Sequence, residues 1–151
     1  MRKSGILSKA VPALLLTVTA CGTAAQAASY TMHRDPNCGC CEEWADHART
    51  GLDADIVTRN ETDMNAVKDR LGVPADLRSC HTMVVDGYVI EGHVPASAVT
   101  RLLEERPSGV LGLAVPGMPI GSPGMEMGDR SQPYEVIAFG TSGARVFESH
   151  E

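Results

Sequence analysis

Hydrophobic and polar positions along the chain follow the pattern of a small domain in which strands and helices alternate. Short apolar runs predict four strands, at residues 28–33, 53–58, 82–85 and Tyr88–Glu91. Apolar residues at helical spacing predict three helices, from Cys38 or Gly39 to about Thr50, at residues 63–71, and from Pro95 onward. The order β-α-β-α-β-β-α predicts an α/β (α+β) fold of the thioredoxin-like type, with a four-stranded mixed sheet flanked by helices.

Turn residues mark the joints between these elements. Gly51 is predicted to stop the first helix. Asp86-Gly87 between two apolar runs is a strong hairpin signal. Pro95 fits the first turn of the third helix, where its missing N–H leaves no hydrogen bond unmade.

The C-terminal part of the chain has a different composition. Residues 107–133 are rich in Gly, Pro and Met, and they predict a loop. Residues 134–139 and 144–148 alternate in strand fashion around a Gly-rich turn, so they predict an added C-terminal β-hairpin.

The first 27 residues predict an export signal, which leaves a single domain at residues 28–151. Three basic residues precede an apolar stretch of ten residues, which is too short to span a bilayer as a helix. Ala25-Gln26-Ala27 offers a cleavage site of the A-x-A type. The alternative is a lipobox that ends at Cys21, which would make the protein lipid-anchored in the cell envelope and give it its only membrane contact. The periplasm is the expected location.

The charge of the mature chain argues against nucleic-acid binding. Residues 1–27 contain three of the 13 basic residues and none of the 19 acidic ones, so their removal leaves a formal charge of −9. A nucleic-acid-binding domain needs a basic face to neutralise phosphates. An acidic surface is compatible with cations as ligands.

The mature chain has four cysteines, and their spacing is unusual for an exported protein. An oxidising compartment favours two structural disulfides. A structural framework spreads its cysteines to close long loops, whereas Cys38, Cys40 and Cys41 lie within four residues and Cys80 follows later. This concentration indicates a metal site or a redox site.

Cys38 and Cys41 form a CxxC motif between a predicted strand and a predicted helix. The unpaired N–H groups and the positive dipole end at a helix start favour thiolate over thiol. A third thiol at Cys40 would scramble a disulfide of an exchange enzyme, but it suits a soft d¹⁰ ion such as Cu(I), because sulfurs can bridge several ions.

Cys80 is the fourth candidate ligand. In a thioredoxin-like fold the loop before the third strand packs against the CxxC motif, so Cys80 would join the cluster there. The alternative is a small buried core residue. His81 reaches the same site only if the backbone is irregular, since neighbours on a strand point to opposite faces. His93 is a further candidate ligand, but a structural role at the start of the next helix is favoured.

The segment at residues 115–127 contains three methionines, and it can form neither a helix nor a central strand because of its prolines and glycines. Thioether is a soft, uncharged ligand for Cu(I), and Met118 is the first candidate because it lies in the most constrained turn. The alternative is that Met118, Met125 and Met127 are adaptable apolar filler.

Several long motifs together resemble one protein family. They are CGCC at 38–41 with Trp44, LGVP at 71–74, SCHT at 79–82, DGYVIEGHVPA at 86–96 and GLAVPGMPIGSPGME at 112–126. Over nearly all of residues 29–148 the chain is similar to the CopG-type periplasmic copper-resistance family, whose members often carry only a label of unknown function. The resemblance implies a thioredoxin-like domain whose CxCC motif, matched by Cys38, Cys40 and Cys41, binds a multinuclear copper centre together with Cys80. It also suggests redox chemistry between Cu(I) and Cu(II).

Copper sequestration is therefore the favoured function, with a copper oxidoreductase as its enzymatic variant. Copper ions are the expected ligand, and other envelope copper-resistance proteins are candidate partners. A thiol-disulfide oxidoreductase with Cys38 as nucleophile and Cys41 as resolving thiol is the alternative, but it does not explain Cys40 or Cys80. A structural zinc site is disfavoured, because such sites ordinarily use two separated CxxC pairs.

Overall fold

One mixed sheet of seven strands forms the centre of the computed structural model, which describes residues 29–151. The strands are β1 (Ser29–Arg34), β2 (Asp55–Asn60), β3 (His81–Val85), β4 (Tyr88–Glu91), β5 (Val110–Ala114), β6 (Tyr134–Gly140) and β7 (Gly143–His150). The helices are α1 (Gly39–Leu52), α2 (Met64–Arg70) and α3 (Ala96–Glu105), with a 3₁₀ turn at Ala75–Leu77. The predicted export signal and the lipobox at Cys21 lie outside the described residues.

The strand order across the sheet is β2-β1-β3-β4-β5-β6-β7. The pairs β1/β2 and β4/β5 are parallel, and the other neighbouring pairs are antiparallel. The predicted α+β class and mixed sheet are confirmed, but the sheet has seven strands instead of four. The predicted C-terminal hairpin exists as β6 and β7, and it continues the main sheet instead of standing apart. The thioredoxin-like assignment stays a prediction.

Apolar side chains cover both faces of the sheet, because successive residues of a strand point to opposite sides. The larger cluster packs α1 and α3 against one face and contains Trp44, Met83 and Ile90. A smaller cluster on the other face contains Val89 and Phe139. The face that packs α1 also carries the cysteine segment, as described below.

A missed strand and a misplaced helix end are the main differences from the predicted elements. Strand β5 lies in the segment predicted as a loop, because Gly112 lowers strand propensity there. A Cβ at this glycine would collide with the Val89 carbonyl of β4. Gly112 therefore allows β5 to pair with β4, although it makes the strand hard to recognise in the sequence. Gly51 does not stop α1, which continues to Leu52 and ends at Asp53 in the left-handed conformation (φ 47°).

Within residues 29–151, none of the helices combines the length and apolarity needed to cross a membrane.

Candidate metal centre

The start of α1 carries three of the four cysteines in residues 29–151. Cys38 is the N-cap, and Cys40 and Cys41 lie in the first turn. Cys41 is fully buried, whereas Cys38 and Cys40 are partly exposed. The first N–H groups of α1 have no partner within the helix, and the positive end of the helix dipole lies at this turn.

A tight turn between β1 and α1 fixes the direction in which these cysteines point. The Asp35 carboxylate accepts a hydrogen bond from the Asn37 N–H at 2.7 Å, and the Asp35 carbonyl accepts one from the Cys38 N–H at 3.1 Å. Arg34 Nη1 donates to the Cys38 carbonyl at 2.8 Å. The polar residues before the CxxC motif therefore hold the N-cap in place.

The four cysteine sulfurs lie together, all within 4.8 Å of one another. Cys38 and Cys41 are joined in a disulfide, and Cys40 Sγ lies 3.6 Å from Cys38 Sγ. Cys40 and Cys80 are free. The sequence analysis argued against two structural disulfides and left a redox pair at Cys38 and Cys41 as an alternative. The one disulfide among these four cysteines is that pair: a separation of three residues across a helix N-terminus brings their Cα atoms to 5.4 Å, which suits a disulfide.

Cys80 reaches the cluster through the pairing of β3 with β1. His81, the first residue of β3, is in register with Arg34, the last residue of β1. Because α1 starts shortly after β1 ends, the residue before β3 lies beside the start of α1. The structure thus brings together two parts of the chain that are 39 residues apart, while the metal-ligand role of Cys80 stays a prediction.

His93 lies on the other side of Cys80, with its Nε2 atom 3.1 Å from Cys80 Sγ. Its Nδ1 atom is 2.8 Å from the Pro123 carbonyl. A carbonyl only accepts hydrogen bonds, so Nδ1 carries the proton and the Nε2 lone pair points toward the sulfur. This is the arrangement of a metal-binding histidine whose second nitrogen donates to a backbone carbonyl. The helix-capping role favoured from the sequence is not seen, since Pro95 is the N-cap of α3.

His81 is fully buried, and its Nδ1 atom lies 3.3 Å from Cys80 Sγ. Its ring lies 4.3 Å from the ring of Trp44, which anchors itself by donating from Nε1 to the Val94 carbonyl at 2.9 Å. The Nε2 atom of His81 is buried without a hydrogen-bond partner among the described residues. The atom that faces the Cys80 sulfur is Nδ1, so Nδ1 is the candidate donor to a metal at this site.

Two groups of donor atoms thus share one sulfur. We call Cys38, Cys40 and Cys41 the CGCC half, and Cys80, His81 and His93 the Cys80 half. Within the Cys80 half, the three candidate donor atoms lie within 4.8 Å of one another.

Burial sets the protonation states of the Cys80 half. Burial, with help from the nearby Cys40, raises the pKa of the Cys80 thiol to about 12. Burial also lowers the pKa of His81, and the neighbouring His93 and Lys68 lower it further. The pKa of His93 is lowered by burial as well. At neutral pH the half therefore presents a neutral thiol and two neutral imidazoles, and a metal ion must displace the thiol proton.

The Met-rich loop between β5 and β6 packs onto the cysteine segment through its backbone. A Cβ at Gly124 would lie 2.6 Å from the Trp44 nitrogen and 2.9 Å from the Cys40 carbonyl, so only glycine fits there. Met118 and Met127 are 52% and 51% exposed, which argues against a filler role for these two side chains. The ligand role of Met118 stays a prediction.

Sequence reasoning missed three residues that support the site. The carbonyl of Pro123 leaves no side-chain signal in the sequence. Lys68 and Glu91, which form a buried ion pair next to Cys80, interrupt otherwise apolar faces of α2 and β4. An ionisable residue on the inner face of a central strand was a signal that could have identified Glu91.

Comparison with known proteins gives a consistent picture. A family model described as "Protein of unknown function, DUF411" matches residues 77–125. The solved structure "Copper resistance protein copG- Form 2" is 46% identical, with a TM-score of 0.78, covering 83% of this chain and 100% of that chain. The structure "Copper resistance protein copG- Form 1" is 47% identical, with a TM-score of 0.77, covering 83% and 98% respectively. No curated protein matches the chain.

Proposed function

Because this chain belongs to the family of CopG-type copper-resistance proteins, we propose that it binds Cu(I) through cysteine thiolates and serves copper resistance in the cell envelope. The reduced protein holds more than one ion per chain on Cys38, Cys40, Cys41 and Cys80, with His81 and His93 as further ligands. Residues 1–27 direct its export to the periplasm.

The observation that supports this function most directly is the convergence of four sulfurs and two imidazoles at one end of the sheet. Thiolates are the ligands that Cu(I) prefers, and imidazole binds copper in both common oxidation states. The donor set therefore fits copper better than it fits hard cations such as Mg²⁺ or Ca²⁺, which prefer oxygen.

The position of Cys80 supports a centre with more than one ion. Its sulfur belongs to both groups of donors, so it is the atom from which a bridge between two ions is available. A single ion would use three or four donors and leave the rest of this buried set without partners.

Reduction of the Cys38–Cys41 disulfide must precede full loading, because a disulfide sulfur is not a thiolate ligand. The reduction consumes two electrons and two protons and yields two thiols. Copper uptake then releases thiol protons, so the apparent affinity rises with pH.

Titration of the reduced protein with Cu(I) against a competing chelator tests the proposal. We expect saturation above one ion per chain and sulfur scattering in X-ray absorption spectra. Saturation at one ion or none per chain contradicts the multinuclear centre. The same protein with its cysteines alkylated is the matched control and should bind no Cu(I) tightly.

Redox cycling between Cu(I) and Cu(II) is the enzymatic form of this proposal. The mixture of thiolate and imidazole donors supports it, because imidazole also suits Cu(II). Potentiometry with electron paramagnetic resonance would show one reversible transition in loaded protein. Irreversible loss of copper on oxidation would leave sequestration as the function.

A thiol-disulfide oxidoreductase is the second candidate, favoured by the Cys38–Cys41 disulfide at a helix N-terminus. Cys38 thiolate would attack a substrate disulfide and Cys41 would resolve the mixed disulfide, so the substrate gains the two electrons that the dithiol loses. A disulfide-reduction assay on metal-free protein, with Cys41→Ser as control, separates the two functions. Fast turnover that copper leaves unaffected would favour this candidate.

A further inference from the structure

A buried ion pair adjoins the Cys80 half, and the metal binding proposed above does not use it. Lys68 of α2 and Glu91 of β4 are almost fully buried, with Lys68 Nζ 2.6 Å from Glu91 Oε1. The hydroxyl of Thr82 donates to Glu91 Oε2 at 2.6 Å and accepts from Lys68 Nζ at 2.9 Å. The Ser79 N–H donates to Glu91 Oε1 at 2.6 Å. The Glu91 carboxylate thus accepts hydrogen bonds from Ser79 and Thr82, which lie before and after Cys80 in the sequence.

Such a pair is a poor way to stabilise a fold. Desolvation of the two charges roughly cancels their attraction, and well-packed apolar residues of similar volume often give equal or greater stability. A role in fixing one backbone conformation is a better reason to bury it here.

The segment around Cys80 departs from the regular alternation of side chains along a strand, and this departure is the conformation that the ion pair would fix. Thr82 faces α2 through its contact with Lys68, whereas His81 packs against Trp44 of α1 on the opposite face. In a regular strand Cys80 would share the side of Thr82. Instead Cys80 packs with the α1 cluster and lies beside His81 Nδ1.

The break occurs where Glu91 holds the backbone of Ser79. Cys80 lies just before the first residue of β3, so the sheet ladder does not fix its direction. Gly92 lets the segment approach closely, since a Cβ there would lie 2.5 Å from Ser79 Cβ and 2.7 Å from the Val115 carbonyl. Glu91 therefore binds the Ser79 N–H, and Gly92 leaves the space in which Ser79 packs.

We propose that Glu91, held by Lys68, is a positioning residue that locks the Ser79–Thr82 segment so that Cys80 and His81 face the same point. For its copper readout this inference rests on the proposed function, but its geometry concerns the metal-free protein. Neither Lys68 nor Glu91 contacts the donor sulfurs or the ring nitrogens in this role.

The test compares an apolar replacement of the pair with a simple packing defect. The double variant Lys68→Met, Glu91→Leu removes both charges together and keeps the volume, so it should fold with near wild-type stability. Val89→Ala lies on the same strand and face as Glu91 and is the matched control for lost stability.

The first readout uses no metal. Alkylation of Cys80 is followed by mass spectrometry in chelator-treated, reduced protein. We expect the double variant to react at least about tenfold faster, because a released Cys80 side chain leaves the cluster and becomes more accessible to the reagent. Val89→Ala should react at the wild-type rate. The double variant Lys68→Met, Glu91→Gln should keep slow alkylation, because the amide oxygen still accepts from the Ser79 N–H and no unpaired charge is left buried.

The second readout is Cu(I) stoichiometry. The double variant should lose the copper that Cys80→Ser loses, whereas Val89→Ala should retain it. Wild-type alkylation and wild-type copper content in the double variant would overturn the inference. If wild-type protein itself binds no Cu(I), the proposed function fails, and the alkylation rates alone decide the positioning role.

A further variant serves if the double variant does not fold. Thr82→Val keeps the ion pair and removes two of its three hydrogen bonds with the segment, leaving the one from the Ser79 N–H to Glu91. It should raise the alkylation rate of Cys80 by a smaller factor, and an unchanged rate contradicts the proposed lock.

Discussion

The CGCC half and the Cys80 half meet at the same end of the sheet, but their donor atoms are held in different ways. The CGCC half occupies one turn of α1, and two of its three sulfurs are joined in a disulfide. The Cys80 half comes from two strand ends and is fixed by the Trp44 ring, the Pro123 carbonyl and the Glu91 carboxylate. The proposed function requires the first half to exchange between a disulfide and metal ligation, whereas the second has one thiol, held by contacts with distant segments. The comparison teaches that adaptable and rigid donors can be combined in one small site.

The largest expected effect tests whether the rigid half is needed at all. Cys80→Ser should damage copper binding as much as Cys38→Ser, because the Cys80 sulfur belongs to both donor groups. Loss of a supporting residue around a metal typically weakens affinity by about 10–100-fold, and loss of a ligand should cost at least that much. Competition titration with a Cu(I) chelator measures it.

Residues 29–151 contain no cysteine outside the site, so a cysteine control is not available there. Thermal unfolding of the metal-free variants takes its place and should show that both remain folded. A Cys80→Ser protein with wild-type stoichiometry and affinity would make the CGCC half sufficient and break the comparison.

The next effect tests whether the Met-rich loop keeps the Cys80 half rigid. Gly124→Ala should destabilise the protein by about 2–4 kcal/mol, because the new Cβ meets α1 and the residue has φ +79°. Displacement of the neighbouring Pro123 carbonyl from His93 should also weaken copper binding. Denaturant unfolding and chelator competition measure the two effects.

Gly128→Ala is the matched control for Gly124→Ala. Gly128 has φ +62°, but a Cβ there meets nothing within 4 Å. It should lose only the cost of the left-handed conformation, about 1–2 kcal/mol, and keep wild-type copper affinity. Equal copper loss in both variants would show that backbone strain alone, without contact with α1, disturbs the site.

A smaller effect concerns the two imidazoles in metal-free protein. Burial lowers the pKa values of His81 and His93 in the folded protein. Below about pH 6.5 the unfolded chain therefore binds protons at these two residues that the folded protein does not bind. Their contribution to stability is fully present above pH 6.5 and is lost as the pH falls through the lowered folded values. The free energy of unfolding at pH 5 and pH 7.5 should therefore differ less in a His93→Gln variant than in wild type, and an equal difference would contradict the burial of a neutral His93.

The smallest expected effect on stability separates two roles of the methionines. Replacement of Met118, Met125 and Met127 by Leu keeps volume and apolarity, at a cost usually below about 1.5 kcal/mol per substitution. If thioethers join the donors, copper should be easier to remove or oxidise at unchanged stability. An unaltered affinity and redox potential in the triple variant would assign the loop to packing alone.

Much of this architecture follows from local patterns. Strand β4 has the predicted bounds, and the helices differ from prediction by a few residues, because apolar spacing and turn residues are local signals. The CxxC motif at a helix start was predicted for the same reason. Strand β5 was missed because Gly112 is required by its neighbour β4, and that requirement is not visible in the segment itself.

The details of the site depend on contacts between distant segments. The sequence could place Cys80 near the cluster only through an assumed fold, and it could not decide whether His81 and Cys80 share a side. That depends on Glu91 and on the approach of Gly92 to Ser79. The bond from His93 to the Pro123 carbonyl spans 30 residues and involves a main-chain atom, so no pattern of side chains reveals it.

The division of the donors along the chain also sets an order of assembly. The three cysteines of the CGCC half are neighbours in sequence, so a newly made or unfolded chain already has them within reach of one another. Cys80 and His93 join them only when β1, β3 and β4 have paired and the loop that carries Pro123 has docked. If the chain binds copper as proposed, an ion captured early starts on a partial set of ligands. Maturation of the centre is then tied to the closure of long-range contacts, which are the slow steps of folding.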